Sequence, residues 1–285
     1  MMQAFLGMGL LGSNFVRAMI KKGEEVHVWN RTASKAKALE NEGAKAYDDV
    51  AQAVEGAHIV HLTLKDDESV NEVLAAASAG FKPGITIVDH TSTSVQGAIE
   101  RTEQWKSRGF TYLHAPVFMG PQNALDSTGV MLVSGDQTVI GDLEPLLAKM
   151  TGTVMNFGPQ EGKAAGMKLI GNLFLMAVTG GLSDSLALAK AVNISTGDIE
   201  TLFNSWNPGA VVLSRIKRIT TGDYRKPSWE LNMARKDARL MMEGAKQGGS
   251  DLTVIPAMAA LMDQWIDKGH GNDDWTVIAH DNIPK

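Results

Sequence analysis

Three glycines near the start of the chain have a spacing that suits phosphate binding. Gly7, Gly9 and Gly12 form the pattern G-x-G-x-x-G between the apolar run MQAFL and the helical stretch SNFVRAMIKKG. A strand, a glycine-rich turn and a helix in this order make the phosphate-binding turn of dinucleotide sites, where the helix N-terminus attracts the pyrophosphate. A purely structural turn is the alternative. We predict cofactor contacts from Gly7, Met8, Gly9, Leu10, Leu11 and Gly12.

The end of the next predicted strand indicates which dinucleotide is bound. Sites that prefer NAD carry a carboxylate here, about 20 residues after the glycines, to bind the ribose hydroxyls. This chain has Asn30, Arg31 and Thr32 instead. Arg31 suits the 2′-phosphate of NADP, because its guanidinium donates paired hydrogen bonds to phosphate oxygens, and Asn30 and Thr32 can donate as well. We therefore predict NADP(H), with further contacts from Leu64 and Lys65.

The pattern of apolar residues divides the chain in two. Up to about residue 155, apolar runs alternate with stretches of helical spacing, which predicts βαβ units and a parallel sheet. From residue 160 onward nearly everything has helical spacing, beginning with a long apolar segment predicted to be a buried helix between domains. The prediction is an α/β fold: a Rossmann-type doubly wound parallel sheet over residues 1–158, then an all-helical domain over residues 159–285.

Composition narrows the class of protein. The 285 residues are 44% hydrophobic and carry a formal net charge of −5 without a run of like charges, which argues against nucleic acid or an anionic membrane as partner. There is no cysteine, and the seven histidines lack metal-ligand spacing, so no metal site is predicted. With no apolar run near 18 residues, we expect a cytoplasmic protein that does not enter a membrane.

Four ordered sequence blocks resemble the β-hydroxyacid dehydrogenase family, which includes 3-hydroxyisobutyrate dehydrogenases and glyoxylate/succinic semialdehyde reductases. The blocks are LGMGLLG with VWNRT, then VDHTSTS, then HAPVFMGPQNA, then GMKLIGN with the later MARKDARL. The resemblance covers essentially the whole chain. It implies hydride transfer between a nicotinamide and a small carbonyl or alcohol substrate, in an enzyme that is a homodimer or homotetramer.

Lys168 matches the catalytic lysine of that family. A lysine on an apolar helix is costly unless it is paired or used, and burial lowers its pKa toward the working pH, as a proton donor and acceptor requires. Asn172 stands one helical turn later, where its amide can orient the substrate or the ammonium group. The resemblance also implies that Lys236 reaches the cofactor and that Asp237 holds its helix in place. A solvated helix face is the alternative for both.

The sequence departs from the family pattern at positions where family members bind their substrate. Thr91 and Ser92 keep hydroxyls after Asp89, but Phe118, Met119 and Gly120 stand where members acting on small hydroxyacids have serine and glycines. A bulkier or less anionic carbonyl compound therefore becomes plausible as substrate. The predicted substrate-binding residues are Thr91, Ser92, Phe118, Met119 and Gly120. His90 has either a substrate contact or a turn-capping role, and His114 is predicted to be structural. Trp206 belongs either to the substrate pocket, to a subunit contact or to the core of the helical domain, of which burial is the commonest outcome for an aromatic residue.

Two other functions stay open at this stage. Imine reductases share the predicted architecture, although many have aspartate or tyrosine at the lysine position, which counts against them here. A protein that binds NADPH without turnover is the alternative outside enzymes. Loss of the catalytic cation would favour that interpretation, and Lys168 is retained.

Overall fold

The structure is a computed structural model that describes residues 2–284. The chain divides into two compact units, Met1–Leu173 and Phe174–Lys285. The boundary lies inside a long helix, so this helix begins in the first unit and continues into the second.

A six-stranded parallel sheet forms the centre of the first unit. Its strands run in the order β3-β2-β1-β4-β5-β6, so the order reverses between β1 and β4, where doubly wound sheets bind their ligands. The central strands β1 and β4 are fully buried, as expected for a sheet covered on both faces. The predicted Rossmann-type fold is confirmed. The strands are β1 (Gln3–Leu6), β2 (Val26–Trp29), β3 (Lys45–Ala46), β4 (Ile59–Leu62), β5 (Thr86–Asp89) and β6 (Thr111–His114).

A smaller three-stranded sheet follows, in which β8 pairs antiparallel with β7 and parallel with β9. Its strands are β7 (Val117–Phe118), β8 (Val130–Val133) and β9 (Thr153–Asn156). Within residues 2–284, seven α-helices accompany the two sheets: α1 (Leu10–Lys21), α2 (Ala33–Lys37), α3 (Val50–Val54), α4 (Asp67–Ala77), α5 (Val95–Ser107), α6 (Pro121–Asp126) and α7 (Gln137–Leu147), with shorter helical turns at Glu40–Glu42 and Ser78–Gly80.

Side-chain caps fix where several of these helices begin. Asp66 accepts the backbone N–H of Ser69 at the start of α4, and Ser94 accepts that of Gly97 at the start of α5. Each cap satisfies a donor that has no partner within the helix. Both caps follow the carboxyl end of a strand, so they fix the two chain segments that leave the sheet beside the reversal of strand order.

The second unit is helical, as predicted. Its core contains Leu231, Trp265 and Val277. Asp184, which is 5% exposed, accepts hydrogen bonds from the backbone N–H groups of Thr253, Val254 and Ile255. The long helix that contains the unit boundary is α8 (Lys163–Ala191). It is followed by α9 (Thr196–Ser205), α10 (Val212–Thr221), α11 (Leu231–Gln247) and α12 (Val254–Trp265), with shorter helical turns at Pro208–Val211, Ile266–His270 and Trp275–Asn282.

The long helix α8 corrects one prediction. Its apolar sequence predicted a buried helix, yet Leu173 is 68% exposed and Met176 is 74% exposed. An apolar pattern shows that a surface avoids water, but it does not specify that the same chain covers it. By length and composition alone α8 is also long and apolar enough to cross a membrane, with 6% of its most apolar window buried.

Candidate active site

The glycine turn after β1 is shaped by contacts that only glycine permits. Gly7 has φ +104°, and a Cβ there would overlap the carbonyl oxygen of Thr63. A Cβ on Gly12 would overlap the carbonyl oxygen of Gly7. At Gly9, by contrast, no heavy atom of the described residues, apart from the adjoining backbone and the two neighbouring residues, lies within 4 Å of the Cβ position. The turn is therefore tightly packed on its protein side and open at Gly9, where α1 begins without a side-chain cap.

Asn30 ties the end of β2 to this turn. Its side-chain oxygen accepts the backbone N–H of Met8 at 2.9 Å, and its amide nitrogen donates to the carbonyl of Thr32 at 2.9 Å. The prediction gave Asn30 a direct phosphate contact, whereas the structure uses both ends of its amide within the protein. Asn30 thus shapes the loop that presents Arg31.

Arg31 and Thr32 lie on the surface next to the glycine turn. Both side chains are exposed, and Arg31 makes no hydrogen bond or ion pair with the residues between 2 and 284. Lys65 is also exposed, and its ammonium group lies 3.2 Å from a carboxylate oxygen of Asp66. An exposed guanidinium beside a turn that is open at Gly9 fits a phosphorylated dinucleotide.

The ends of β4 and β5 are joined through Thr91. Its hydroxyl accepts the backbone N–H of Leu64 at 2.9 Å, and its own N–H donates to Asp89. Since Thr91 is 2% exposed, its position corrects the prediction of an accessible substrate-binding hydroxyl. Ser92, the next residue, is exposed and keeps that possibility.

The two histidines near these strand ends are buried. The ring nitrogens Nε2 of His90 and Nδ1 of His61 lie 3.1 Å apart, and Nδ1 of His90 donates to the carbonyl of Ala115 at 2.9 Å. Burial lowers the pKa of His90 to about 4 and lowers the pKa of His61 strongly. His90 therefore belongs to the core rather than to a substrate surface. His114 is also buried, with Nε2 lying 2.8 Å from the carbonyl of Thr91.

Lys168 lies over an aromatic ring. Its ammonium nitrogen is 4.2 Å from the centroid of Phe118, and both side chains are half-buried. Burial lowers the pKa of Lys168 below its ordinary value, in the predicted direction. No carboxylate or hydrogen-bonding partner of this ammonium occurs among residues 2–284, so Asn172, although half-buried one turn away, does not hold it directly.

The start of α8 is anchored to the first unit, which fixes the position of Lys168. Ala164 and Ala165 are fully or almost fully buried, and the N–H of Ala164 donates to the hydroxyl of Ser134 at 2.9 Å. Gly166 lies against Val95 of α5. Lys168 is therefore held by the same unit that carries the glycine turn.

The remaining predicted residues differ in their exposure and in their contacts. Met119 is half-buried and packs against a core cluster, while Gly120 is exposed and its N–H donates to Asn123. In the second unit, Lys236 pairs with Asp237 at 2.8 Å. Trp206 is 56% exposed and stacks on Phe203, so its predicted burial is corrected.

Sequence reasoning missed two residues that shape the site. Thr63 donates its hydroxyl hydrogen to the carbonyl of Gly7 at 3.0 Å and thereby links β4 to the glycine turn. Its position directly after a strand was the available signal. Gly171 was also missed, and a Cβ there would overlap the ring of Phe118. Only the fold brings Gly171 and Phe118 together.

No group of three or more histidine, aspartate or glutamate side chains within residues 2–284 is arranged to hold a metal ion.

Comparison with known proteins identifies the family. Residues 3–158 match the profile of the NAD-binding domain of 6-phosphogluconate dehydrogenase, and residues 161–282 match that of the NADPH-dependent reductive aminase-like C-terminal domain. The first match covers more than half of the chain. The protein therefore belongs to the family of oxidoreductases with a 6-phosphogluconate dehydrogenase-type NAD-binding domain, which confirms the predicted family resemblance.

Individual relatives are distant. Cytokine-like nuclear factor N-PAC of Xenopus tropicalis is 30% identical over 240 residues, which are 83% of this chain and 45% of that protein. The chain thus spans less than half the length of this relative. An imine reductase from Myxococcus stipitatus in complex with NADP+ has a TM-score of 0.91 at 20% identity, covering 98% of this chain and 99% of that one. A reductive aminase from Aspergillus terreus in complex with NADPH4, cyclohexanone and allyl amine has a TM-score of 0.90 at 22% identity, covering 99% of each chain. At these identities the structural likeness shows a shared fold.

Proposed function

We propose that this protein is an NADPH-dependent reductase of a small molecule with a C=O or C=N double bond. The observation that carries the proposal is the half-buried Lys168 ammonium, which has no counter-ion among residues 2–284 and lies in the unit that contains the glycine turn. The family match and the NADP-containing structural neighbours support the choice of cofactor and reaction class.

The proposed chemistry needs a hydride and a proton. NADPH, when bound, supplies the hydride to the carbon of the double bond. Lys168 donates a proton from Nζ to the oxygen as the C=O π bond breaks, so an alcohol forms and the lysine is left as a neutral amine. Water then returns the proton to Nζ. An ammonium group suits this role because it stabilises the developing oxyanion before the proton moves.

The residues around the glycine turn fit the proposed cofactor. The open side at Gly9 gives a pyrophosphate access to the backbone N–H groups at the start of α1, and Arg31 is free to bind a 2′-phosphate. Asn30 keeps Met8 and the β2 turn in place for both contacts.

Imine reduction is the second candidate. The match of residues 161–282 to a reductive aminase-like domain favours it, as does the fold shared with an imine reductase. Lys168 can protonate a neutral imine nitrogen as readily as a carbonyl oxygen, so the site itself allows both substrates.

Uncharged substrates are expected to react faster than carboxylated ones. The hydroxyl of Thr91 is buried and bound to the Leu64 N–H, and Phe118 presents a ring instead of a hydroxyl. Ser92 is then the one exposed hydroxyl of the predicted substrate set, which weakens the anchoring of a carboxylate.

The decisive experiment is NADPH oxidation with glyoxylate, succinic semialdehyde, uncharged aldehydes and cyclic imines, using wild-type protein and Lys168→Ala. We expect Lys168→Ala to lose turnover while binding NADPH with unchanged affinity. Lys163→Ala, an exposed lysine of the same helix, is the matched control and should keep activity. If Lys168→Ala retains turnover, the assignment of Lys168 as proton donor is wrong. If the wild type turns over none of the substrates, a protein that binds NADPH without turnover is favoured.

Cofactor preference is tested at Arg31. Arg31→Ala should weaken NADPH binding by about 10- to 150-fold and leave NADH nearly unaffected, because hydrogen bonds between charged groups contribute about 1.5–3 kcal/mol. Lys21→Ala, at the exposed end of α1, is the control. Equal losses for both cofactors would contradict recognition of the 2′-phosphate.

We also propose that the protein functions as a homodimer whose interface includes α8. Apolar side chains are exposed on several faces of this helix, and water is a poor environment for all of them. Polar contacts at both ends of the apolar segment favour a second copy of the chain over a membrane as the covering partner. At the start of α8 the Ala164 N–H donates to Ser134, and further along the helix Asp184 accepts the Thr253 N–H. Light scattering coupled to size-exclusion chromatography should give twice the chain mass of 30.6 kDa for the wild type. For Leu173→Glu the measured mass should fall to that of one chain. A monomeric wild type would contradict this proposal.

A further inference from the structure

The ring of Phe118 is held against helix α8 by a close fit. Lys168 and Gly171 are three residues apart on α8, so both face the ring. The Lys168 ammonium is 4.2 Å from the ring centroid, and a Cβ on Gly171 would overlap Cζ of Phe118. The missing side chain at Gly171 gives the ring its place below Lys168.

We propose that Phe118 is a positioning residue that holds the Lys168 ammonium by its aromatic face, in place of an acidic counter-ion. This inference rests on the proposed role of Lys168 as proton donor. A cation above an aromatic ring is attracted to the negative face of the π system. The attraction orients the ammonium group without placing beside it a carboxylate that could accept its proton.

The choice of ring over carboxylate has a chemical consequence. A carboxylate next to a buried lysine would favour the charged form and make the proton harder to give up. Phe118 restrains the ammonium more weakly, and the surrounding burial disfavours the charge. The pair therefore keeps Lys168 in place while leaving its proton available.

The pKa of Lys168 in the cofactor-free protein tests the proposal. It can be followed by NMR of ¹³Cε-labelled lysine, with Lys168→Arg used to assign the signal. Phe118→Leu keeps a large apolar side chain that excludes water but removes the π face, so it should lower the pKa of Lys168 by about half to one pH unit. Phe118→Ala admits water and should raise the pKa toward its ordinary value.

The opposite signs separate the aromatic effect from simple burial. Shifts of the same sign in both variants, or none in Phe118→Leu, would overturn the proposal. Phe110→Leu alters a ring that packs on Phe81 and Trp105 instead, and it is the control that should leave the pKa of Lys168 unchanged. Thermal unfolding of each variant verifies that it is folded at the temperature of the titration.

Gly171 supplies an independent test of the geometry. Gly171→Ala should move the pKa of Lys168 in the wild-type background, because the new methyl group displaces the ring. In the Phe118→Ala background the same substitution has room and should leave the pKa in place. Equal effects in both backgrounds would show that the ring does not mediate the change. Because these measurements need no turnover, their failure is distinct from failure of the proposed function, which the activity of Lys168→Ala decides.

Discussion

The backbone N–H of Met8 donates a 2.9 Å hydrogen bond to the side-chain oxygen of Asn30, and this bond joins the glycine turn after β1 to the end of β2. One side chain thereby fixes the relative position of two elements that the proposed cofactor must touch. The pyrophosphate requires the turn, and the 2′-phosphate requires the residue after Asn30.

Replacing Asn30 should therefore impair both nicotinamide cofactors. Asn30→Ala leaves the Met8 N–H without its acceptor, and an unsatisfied donor of this kind costs about 1–3 kcal/mol. We expect NADPH and NADH affinities to fall together, by about 5- to 150-fold, in fluorescence titrations. The contrast is with Arg31→Ala, for which only NADPH binding should weaken. A loss confined to NADPH in Asn30→Ala would mean that Asn30 contacts the phosphate directly.

Gly7 and Gly9 should respond differently to alanine. Gly7→Ala places a side chain at φ +104° against the Thr63 carbonyl, so we expect the free energy of unfolding to fall by at least about 1–2 kcal/mol. Gly9→Ala has no neighbour within 4 Å, so its stability should stay within about 0.5 kcal/mol of wild type while cofactor affinity is lost. Urea denaturation and cofactor titration measure the two effects. Undiminished NADPH binding by Gly9→Ala would remove Gly9 from the cofactor site.

The rate of reduction should fall as the pH rises through the pKa of Lys168. Burial lowers this pKa from its ordinary 10.5, and only the protonated amine can act as proton donor. The fall in kcat/KM should consequently begin at a lower pH than an unperturbed lysine would give. In Lys168→Arg, the slower residual reaction should lack this fall, because arginine stays protonated over the same range. A wild-type profile that is flat up to pH 10.5 would argue against Lys168 as the donor.

The buried histidines should make stability depend on pH. His90 is neutral in the folded protein, with its pKa lowered from 6.5 to about 4, so the unfolded chain binds more protons between these values. Stability therefore rises with pH in this window, and moving from pH 7 to pH 5 should remove about 2 kcal/mol through His90 alone. Urea unfolding at both pH values measures the change. In His90→Phe the difference between the two pH values should shrink by about the same amount; an unchanged difference would assign it to other groups.

Much of the first unit could be predicted from sequence because its strands are short apolar runs separated by helical stretches. β3 and β7 have two residues each, too few to show a pattern of their own in the sequence. The apolar character of α8 and the aromatic ring of Trp206 were visible, but their exposure was not. A large exposed apolar patch marks an interaction surface, and a single sequence does not say which apolar residues will form such a patch rather than the core.

The sequence by itself determined the glycine turn, the cation after β2 and the lysine on α8, because each depends on residue type and on spacing within one short segment. Only the tertiary structure decided that Asn30 and Thr91 use their polar atoms on Met8 and Leu64, and that Phe118 lies under Lys168. These contacts join distant segments, and a side chain's hydrogen bonds and pKa depend on the neighbours that folding brings to it.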